Sequence, residues 1–388
     1  MATRYSNNRR RNNKPTELVD INSNTQVVKI HQKKGKVLSI ISICLAVLLI
    51  FFGSGIIYFY SVMDSLNYKE YENNGVVSGN DDENIDLSTL VQDGDLQSSS
   101  KVLNVMLFGE DYHSANSNGR SDSMILLSIN NVSKSIKLTS FQRDTYVYIP
   151  GHGYNKITHS FSYGGPALAI QTVEANFGVK IDRYAVVDFK SFQKIIDTLG
   201  GITLDLSGDE AAYINWQMEI NNQVPAENYP LDEVDGQYTL TGQQALWYAR
   251  NRGYQDSKHP EEVYSGDDWD RTERQRKLLN KVFEDMKKAS FTQLVSIVAE
   301  IGPLITTNLK KEEITGLMAR ALTYLKYEFE SYSMPQEGLW SYSKSGTEIY
   351  NRCGSCIIID DMEAARQGLK DFVYEGLDEQ PSTAAATE

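Results

Sequence analysis

Cysteine is scarce, with three residues in 388. Cys44 lies inside an apolar run, and Cys353 and Cys356 form a lone C-x-x-C. A four-ligand zinc site would need a second pair, so that class is excluded. No G-x-S-x-G elbow, P-loop or Rossmann glycine fingerprint occurs, which removes the usual serine-hydrolase, nucleotide and dinucleotide signatures. Positive charge is short overall, with a formal net charge of −13. That balance disfavours a nucleic-acid reader. No internal repeat is visible.

What is there begins with charge segregation. Residues 1–36 carry nine Lys and Arg against Glu17 and Asp20, without hydrophobic periodicity, and are expected to form a basic, disordered cytoplasmic arm. Residues 37–62 form an almost unbroken apolar run without charge, ending near Tyr58 and Tyr60. It exceeds the roughly 20 residues a spanning helix needs and is longer than a signal-peptide core. The expectation is a retained single-pass anchor, with the basic side cytoplasmic and the remainder outside. Residues 63–100 are acidic and serine-rich, an extended extracellular spacer with room for a short helix near Asp64–Tyr71. A domain then runs over 101–377, and 378–388 is expected to be a disordered tail.

Within the domain, Val102–Phe108, Met124–Ile129 and Ile136–Phe141 read as buried strands. Pro166–Phe177 and Ser191–Leu199 read as helices, and Tyr184–Val187 and Ile202–Leu206 as strands. Thr241 and Gln244 have capping-box spacing, so a helix opens there and runs to Arg250. A second begins near Asp268–Asp270 and continues through Leu278, Leu279, Val282 and Met286 at helical spacing. Helical stretches follow at Phe291–Ile301, Glu312–Tyr327 and Met362–Tyr374. The alternation implies an α/β fold, and the close spacing of the first three strands makes part of the sheet antiparallel.

Chemistry gathers in four stretches. Five arginines (Arg250, Arg252, Arg271, Arg274 and Arg276) crowd the two helices. Arg271 and Gln275 continue the apolar stripe and so point inward. A guanidinium in a first turn needs a counter-charge: a bound phosphate, or a network with Asp267, Asp268 and Asp270. Arg250 and Arg252 suit a helix C-terminus without any ligand. Asp111 follows one strand, and Gly119-Arg120-Ser121-Asp122 opens the next. Two carboxylates there suit Mg²⁺ completed by substrate phosphates, or a loop of Asx turns with a surface ion pair. Arg143 and Asp144 follow a strand end, with Lys156 and His159 beyond, and a histidine alone is more often structural than catalytic. For the C-x-x-C pair, a local disulfide is the expected state in an oxidising exterior, with a redox-active pair as the rival.

The ordered series GED…GRSDSM, SFQRDTYVYIP, K-x-x-HSFSYGGP, VVDF…IDTLGGI, LTGQQALWYARNR and DDWDRTERQRKLL resembles the LytR–CpsA–Psr family over about Lys101–Asn280. The resemblance implies a three-layer α–β–α sandwich with a central mixed sheet. It also implies a Gram-positive envelope phosphotransferase that moves a glycopolymer from a polyprenyl (pyro)phosphate carrier to peptidoglycan. A lipid pyrophosphatase and a non-catalytic lipid-phosphate regulator remain alternatives. By motif, Asp111 and Asp122 would hold Mg²⁺. Arg120, Arg143, Arg250, Arg252, Arg271 and Gln275 would grip the pyrophosphate, supported by Asp268 and Lys156.

Overall fold

A computed structural model describes residues 67–70, 95–111, 119–223, 229–255, 263–264, 267–288 and 290–377. The expected cytoplasmic arm, the apolar run, most of the spacer and the tail lie outside the described residues. Among the described residues no helix is long and apolar enough to cross a membrane.

The chain builds strands β1 (Val102–Asp111), β2 (Arg120–Asn130) and β3 (Ser135–Phe141), then helix α1 (Thr158–Phe177). Strand β4 (Arg183–Asp188), helix α2 (Phe189–Thr198), strand β5 (Ile202–Leu206) and helix α3 (Gly208–Ile220) follow. Next come β6 (Gly236–Leu240), α4 (Gly242–Arg250), α5 (Asp268–Met286) and β7 (Thr306–Thr307). Strand β8 (Glu328–Met334), the hairpin β9 (Trp340–Tyr342) and β10 (Ile357–Ile359), and α6 (Met362–Val373) close the domain.

The central sheet is mixed and, among the described residues, seven-stranded, in the order Asn67–Tyr68, β7, β4, β1, β2, β3, β8. The β1–β2 and β2–β3 pairs are antiparallel, as short connections require, while β1–β4 and β3–β8 are parallel. Alternation along the strands divides the core. Met106, Phe108, Met124 and Leu126 pack with Phe161, Val173 and Phe177 of α1 and Leu369 of α6. Leu107 and Ile125 take the other face, toward α2, α4 and α5. Helices thus cover both faces of the sheet.

Two expectations need correction. Asn67–Tyr68 is a strand parallel to β7, not a helical turn, because it completes the sheet edge. The helix expected over Glu312–Tyr327 breaks at Arg320 into Lys311–Ala319 and Ala321–Tyr324. Ile202–Leu206 is a strand as expected, and it pairs with β6 in a separate two-stranded sheet.

Cys353 and Cys356 are joined in a disulfide. Thiol labelling without reductant should therefore leave both unmodified, and ready labelling of both would contradict it. The pair is nearer the charged loops than its place in the sequence suggests. The Ile357 amide, just after Cys356, donates to the Asp144 carbonyl at 2.9 Å.

Candidate active site

The site starts from an irregularity in the β1–β2 ladder. Gly109 pairs with Ser123 and Glu110 with Ser121, so Asp122 is the extra residue of a bulge. A bulge re-aims its side chain, and here Asp122 meets arginines from two distant stretches. Its Oδ1 accepts from Arg143 at 2.8 Å and lies 4.0 Å from Arg271, and its Oδ2 lies 3.8 Å from Arg252. One position beyond the bulge, Asp111 faces Arg120 in register at the strand ends. Gly119 is required there, since a Cβ would come within 2.3 Å of the Asp111 carbonyl oxygen.

The second carboxylate comes from α5. Asp267 caps that helix in a capping box with Asp270, and this frees Asp268 to turn inward. Asp268 lies 3.1 Å from Arg143, 3.4 Å from Arg252 and 3.1 Å from Arg271. Three guanidiniums therefore share two carboxylates. Arg271 is 1% exposed and also donates to the Asp122 carbonyl at 3.0 Å. Of the two readings left open by spacing, the arginine–aspartate network is present through Asp268, and Arg271 also lines a cavity.

Electrostatics follow from this crowding. Burial works against the charge of Asp122, but Arg271, Arg143 and Arg252 outweigh it and hold the carboxyl below its ordinary range. Burial likewise opposes the Arg143 charge, and Asp268 and Asp122 more than restore it, so its pKa rises. Arg271 is pushed down to about 10 by burial, with Arg252 and Arg143 adding to the effect and Asp268 opposing it. It stays protonated at neutral pH, as guanidiniums do. Its Nε has no hydrogen-bond partner among the described residues, so the buried cation is incompletely satisfied.

The cavity beside this cluster is apolar, with a volume of about 270 Å³. Leu107 and Ile125 of the sheet, Phe189 and Ile195 of α2, Leu246 of α4 and Leu278 of α5 line it. The lining also includes Asp122, Arg250, Arg252, Arg271 and Gln275, of which Asp122, Arg252 and Arg271 belong to the cluster. Arg250 lies 4.5 Å from the Phe189 ring and 5.2 Å from the Trp247 ring, which hold it at the cavity wall. Gln275 donates to the Ala249 carbonyl at the end of α4, at 3.3 Å.

Other candidates lie at the margin. Lys156 pairs with Asp144 at 3.0 Å, and Asp144 lies 3.7 Å from Arg143. Arg120 is exposed, outside the tight cluster. The His159 ring donates from Nδ1 to Asn155 at 2.8 Å in the tautomer that bond selects. Burial, then Arg120 and Lys156, depress its pKa, which suits a structural role. Arg274 binds Glu210 at 2.7 Å and the Asn251 carbonyl at 3.0 Å, tying α3 to the end of α4. The aromatic neighbours of Asp268 escaped the sequence reading, because nothing in the spacing of Trp269 and Trp340 couples them.

The LytR_cpsA_psr family model matches residues 60–353. The chain belongs to the LytR–CpsA–Psr family. One relative in it is the polyisoprenyl-teichoic acid–peptidoglycan teichoic acid transferase TagU of Oceanobacillus iheyensis. It is 32% identical over 265 residues, covering 66% of this chain and 74% of TagU. Among solved family structures, TagT bound to LI-WTA is similar at 25% identity and a TM-score of 0.53, covering 72% of this chain and 91% of TagT. A TagT structure with bound octaprenyl pyrophosphate lipid shares the fold at 23% identity and a TM-score of 0.50, with 71% and 91% covered.

Proposed function

We propose that this LytR–CpsA–Psr protein is a membrane-anchored phosphotransferase that moves a glycopolymer from a polyprenyl (pyro)phosphate carrier to peptidoglycan. One observation carries the reading: an apolar cavity whose lining includes three arginines, two of them in the cluster around Asp122. The walls suit a hydrocarbon chain and the arginines suit its pyrophosphate. The name of TagU and the lipid in the TagT structure support the same assignment. The apolar run at 37–62 would anchor the chain with its catalytic domain outside, as in a Gram-positive envelope.

Phosphoryl transfer asks for positioning and charge neutralisation more than for a strong protein nucleophile. An acceptor sugar hydroxyl attacks the phosphorus that bears the glycopolymer, and a new P–O bond forms. The bond from that phosphorus to the bridging oxygen breaks, its electron pair leaves with the lipid phosphate, and the hydroxyl proton passes to a base. Arg143, Arg252 and Arg271 face the developing charge, and Arg250 adds a fourth guanidinium at the cavity wall. Asp122 is ill suited to be the base, because the arginines lower its proton affinity. Asp111 is the family-guided candidate for that role, and holding a metal as well would weaken it as a base.

Mg²⁺ fits the donor chemistry. Among the described residues no three carboxylate, histidine or cysteine groups converge on a metal position. Asp111 and Asp122 supply two carboxylates at adjoining strand ends, the number Mg²⁺ takes when substrate phosphates complete its shell. Bound there, the ion would neutralise phosphate oxygens.

The test incubates the protein with radiolabelled lipid-linked polymer, peptidoglycan and Mg²⁺. Label should appear in the insoluble wall fraction and depend on peptidoglycan. Release of soluble polymer without acceptor dependence would make the protein a pyrophosphatase, and no turnover of any kind would leave a lipid-phosphate binder.

A further inference from the structure

Trp269 occupies the first turn of α5, two residues before Arg271. Two helical steps turn through about 200°, so its indole leaves the helix on the side away from Arg271, Gln275 and Leu278. Those three residues line the cavity. Trp269 stacks on Trp340 of β9 with ring centroids 4.6 Å apart and planes at 24°. Tyr342 meets Trp340 edge-on at 5.1 Å. The group remains partly open, with Tyr342 50% exposed and both indoles half-buried. Buried indole N–H groups usually find an acceptor, yet the Trp269 N–H has none among the described residues. Packing alone is therefore an incomplete account of this tryptophan.

The platform is fixed to the phosphate site. Strand β9 pairs with β10, Trp340 opposite Ile359 and Tyr342 opposite Ile357. Strand β10 in turn hangs on the loop after β3, where Ile357 donates to the Asp144 carbonyl beside Arg143. The cavity is lined from β1, β2 and β4, whereas the platform rests on α5 and on β9, whose partner β10 hangs from the loop that carries Arg143 and Asp144. The arginine–aspartate cluster adjoins both, since Arg271 lines the cavity and Asp268 directly precedes Trp269.

In phosphoryl transfer the attacking and leaving oxygens are roughly in line. A lipid held in the cavity directs the leaving oxygen toward the cavity, so the nucleophile arrives from the opposite flank. Pyranose rings present a face of C–H groups that packs on indole and phenol rings, and aromatic side chains offer that area with little conformational entropy to lose. We infer that Trp269, Trp340 and Tyr342 form a platform on which a sugar ring of the acceptor glycan strand stacks, aligning its hydroxyl with the phosphate cluster. The inference rests on the transfer reading above and adds the place of its second substrate.

The test uses the full chain and Trp340→Ala, with Trp340→Phe as the conservative control. In transfer assays, Trp340→Ala should raise the half-saturating peptidoglycan concentration at least tenfold while half-saturation by lipid-linked polymer stays within twofold. Trp340→Phe should recover most of the acceptor dependence, and both variants should melt within a few degrees of the parent. Separately, soluble uncrosslinked peptidoglycan glycan strands should quench tryptophan fluorescence and bind the parent at least tenfold tighter than Trp340→Ala. Equal strand binding by a folded Trp340→Ala overturns the platform, as does an equal rise in half-saturation by the donor. If the parent transfers nothing but still binds strands in a Trp340-dependent way, the transfer reading fails and the platform stands.

Discussion

Replacing Arg271 by lysine should lower transfer per folded molecule by roughly 10- to 150-fold, the rate equivalent of about 1.5–3 kcal/mol of lost charge-assisted hydrogen bonding. Lysine keeps the charge, but a single ammonium cannot hold Asp268, the Asp122 carbonyl and a phosphate at once, as the planar fork can. The melting temperature should also fall by a few degrees. Spacing leaves two expectations. A phosphate site alone predicts little change or a rise, since an inward cation at a helix N-terminus is unfavourable without its anion. An arginine–aspartate network predicts a fall. Asp268 at 3.1 Å, one turn earlier, favours the fall. Added pyrophosphate should raise the melting temperature of the parent and do so less for the variant. Transfer preserved within threefold in folded Arg271→Lys would remove Arg271 from the phosphate site.

Asp122→Asn should be more damaging. It leaves three guanidiniums sharing Asp268, with only the more distant Asp144 beside Arg143, and its carboxylate is only 22% exposed, so little water screens the loss. The destabilisation should be about 1–3 kcal/mol near neutral pH, with transfer reduced roughly 100-fold or more. The pH dependence follows from the direction of the shift. The folded pKa of Asp122 is lowered from 3.8, so its contribution is complete above that ordinary value and fades as pH falls through the lower, folded value. Melting temperatures of parent and variant should differ most near neutrality and converge in acid, because the other carboxylates titrate in both proteins and cancel. A difference that persists undiminished to the most acidic folded condition would show that Asp122 is not an ionised partner.

Local rules found the elements whose cause is local. The apolar stripe of α5 and the capping box at Thr241 and Gln244 lie where spacing puts them. Strand β8 was missed because its neighbour decides its state. Glu328–Met334 follows a helical stretch, alternates weakly, and becomes a strand by pairing in parallel with β3. Helix α3 was missed although Ser207 and Glu210 form its capping box. That signal was present and unused. At the site, the charged residues were legible as types and as family motifs. Their mutual arrangement was not, since it depends on a bulge at Asp122 that no composition or period announces. The sharing of Asp268 among three arginines lies equally beyond spacing, for Arg143 and Arg252 come from segments far from it in the chain.

The last helix carries a consequence for the order in which the protein can be completed. Asn104 near the start of β1 donates to the Tyr374 hydroxyl at 3.1 Å, and that hydroxyl donates to the Gln97 carbonyl. Asn130 at the end of β2 donates to the carbonyls of Val373 and Glu375 at 3.2 and 3.0 Å. Polar groups set down early thus find partners in residues made 243 to 277 positions later. A ribosome delivering the chain in order leaves Asn104 and Asn130 without these partners until α6 has emerged. Chains that stop before α6 lack Leu369 and the partners of Asn104 and Asn130, so quality-control proteases meet a core that is closed by α1 and still open where α6 would sit.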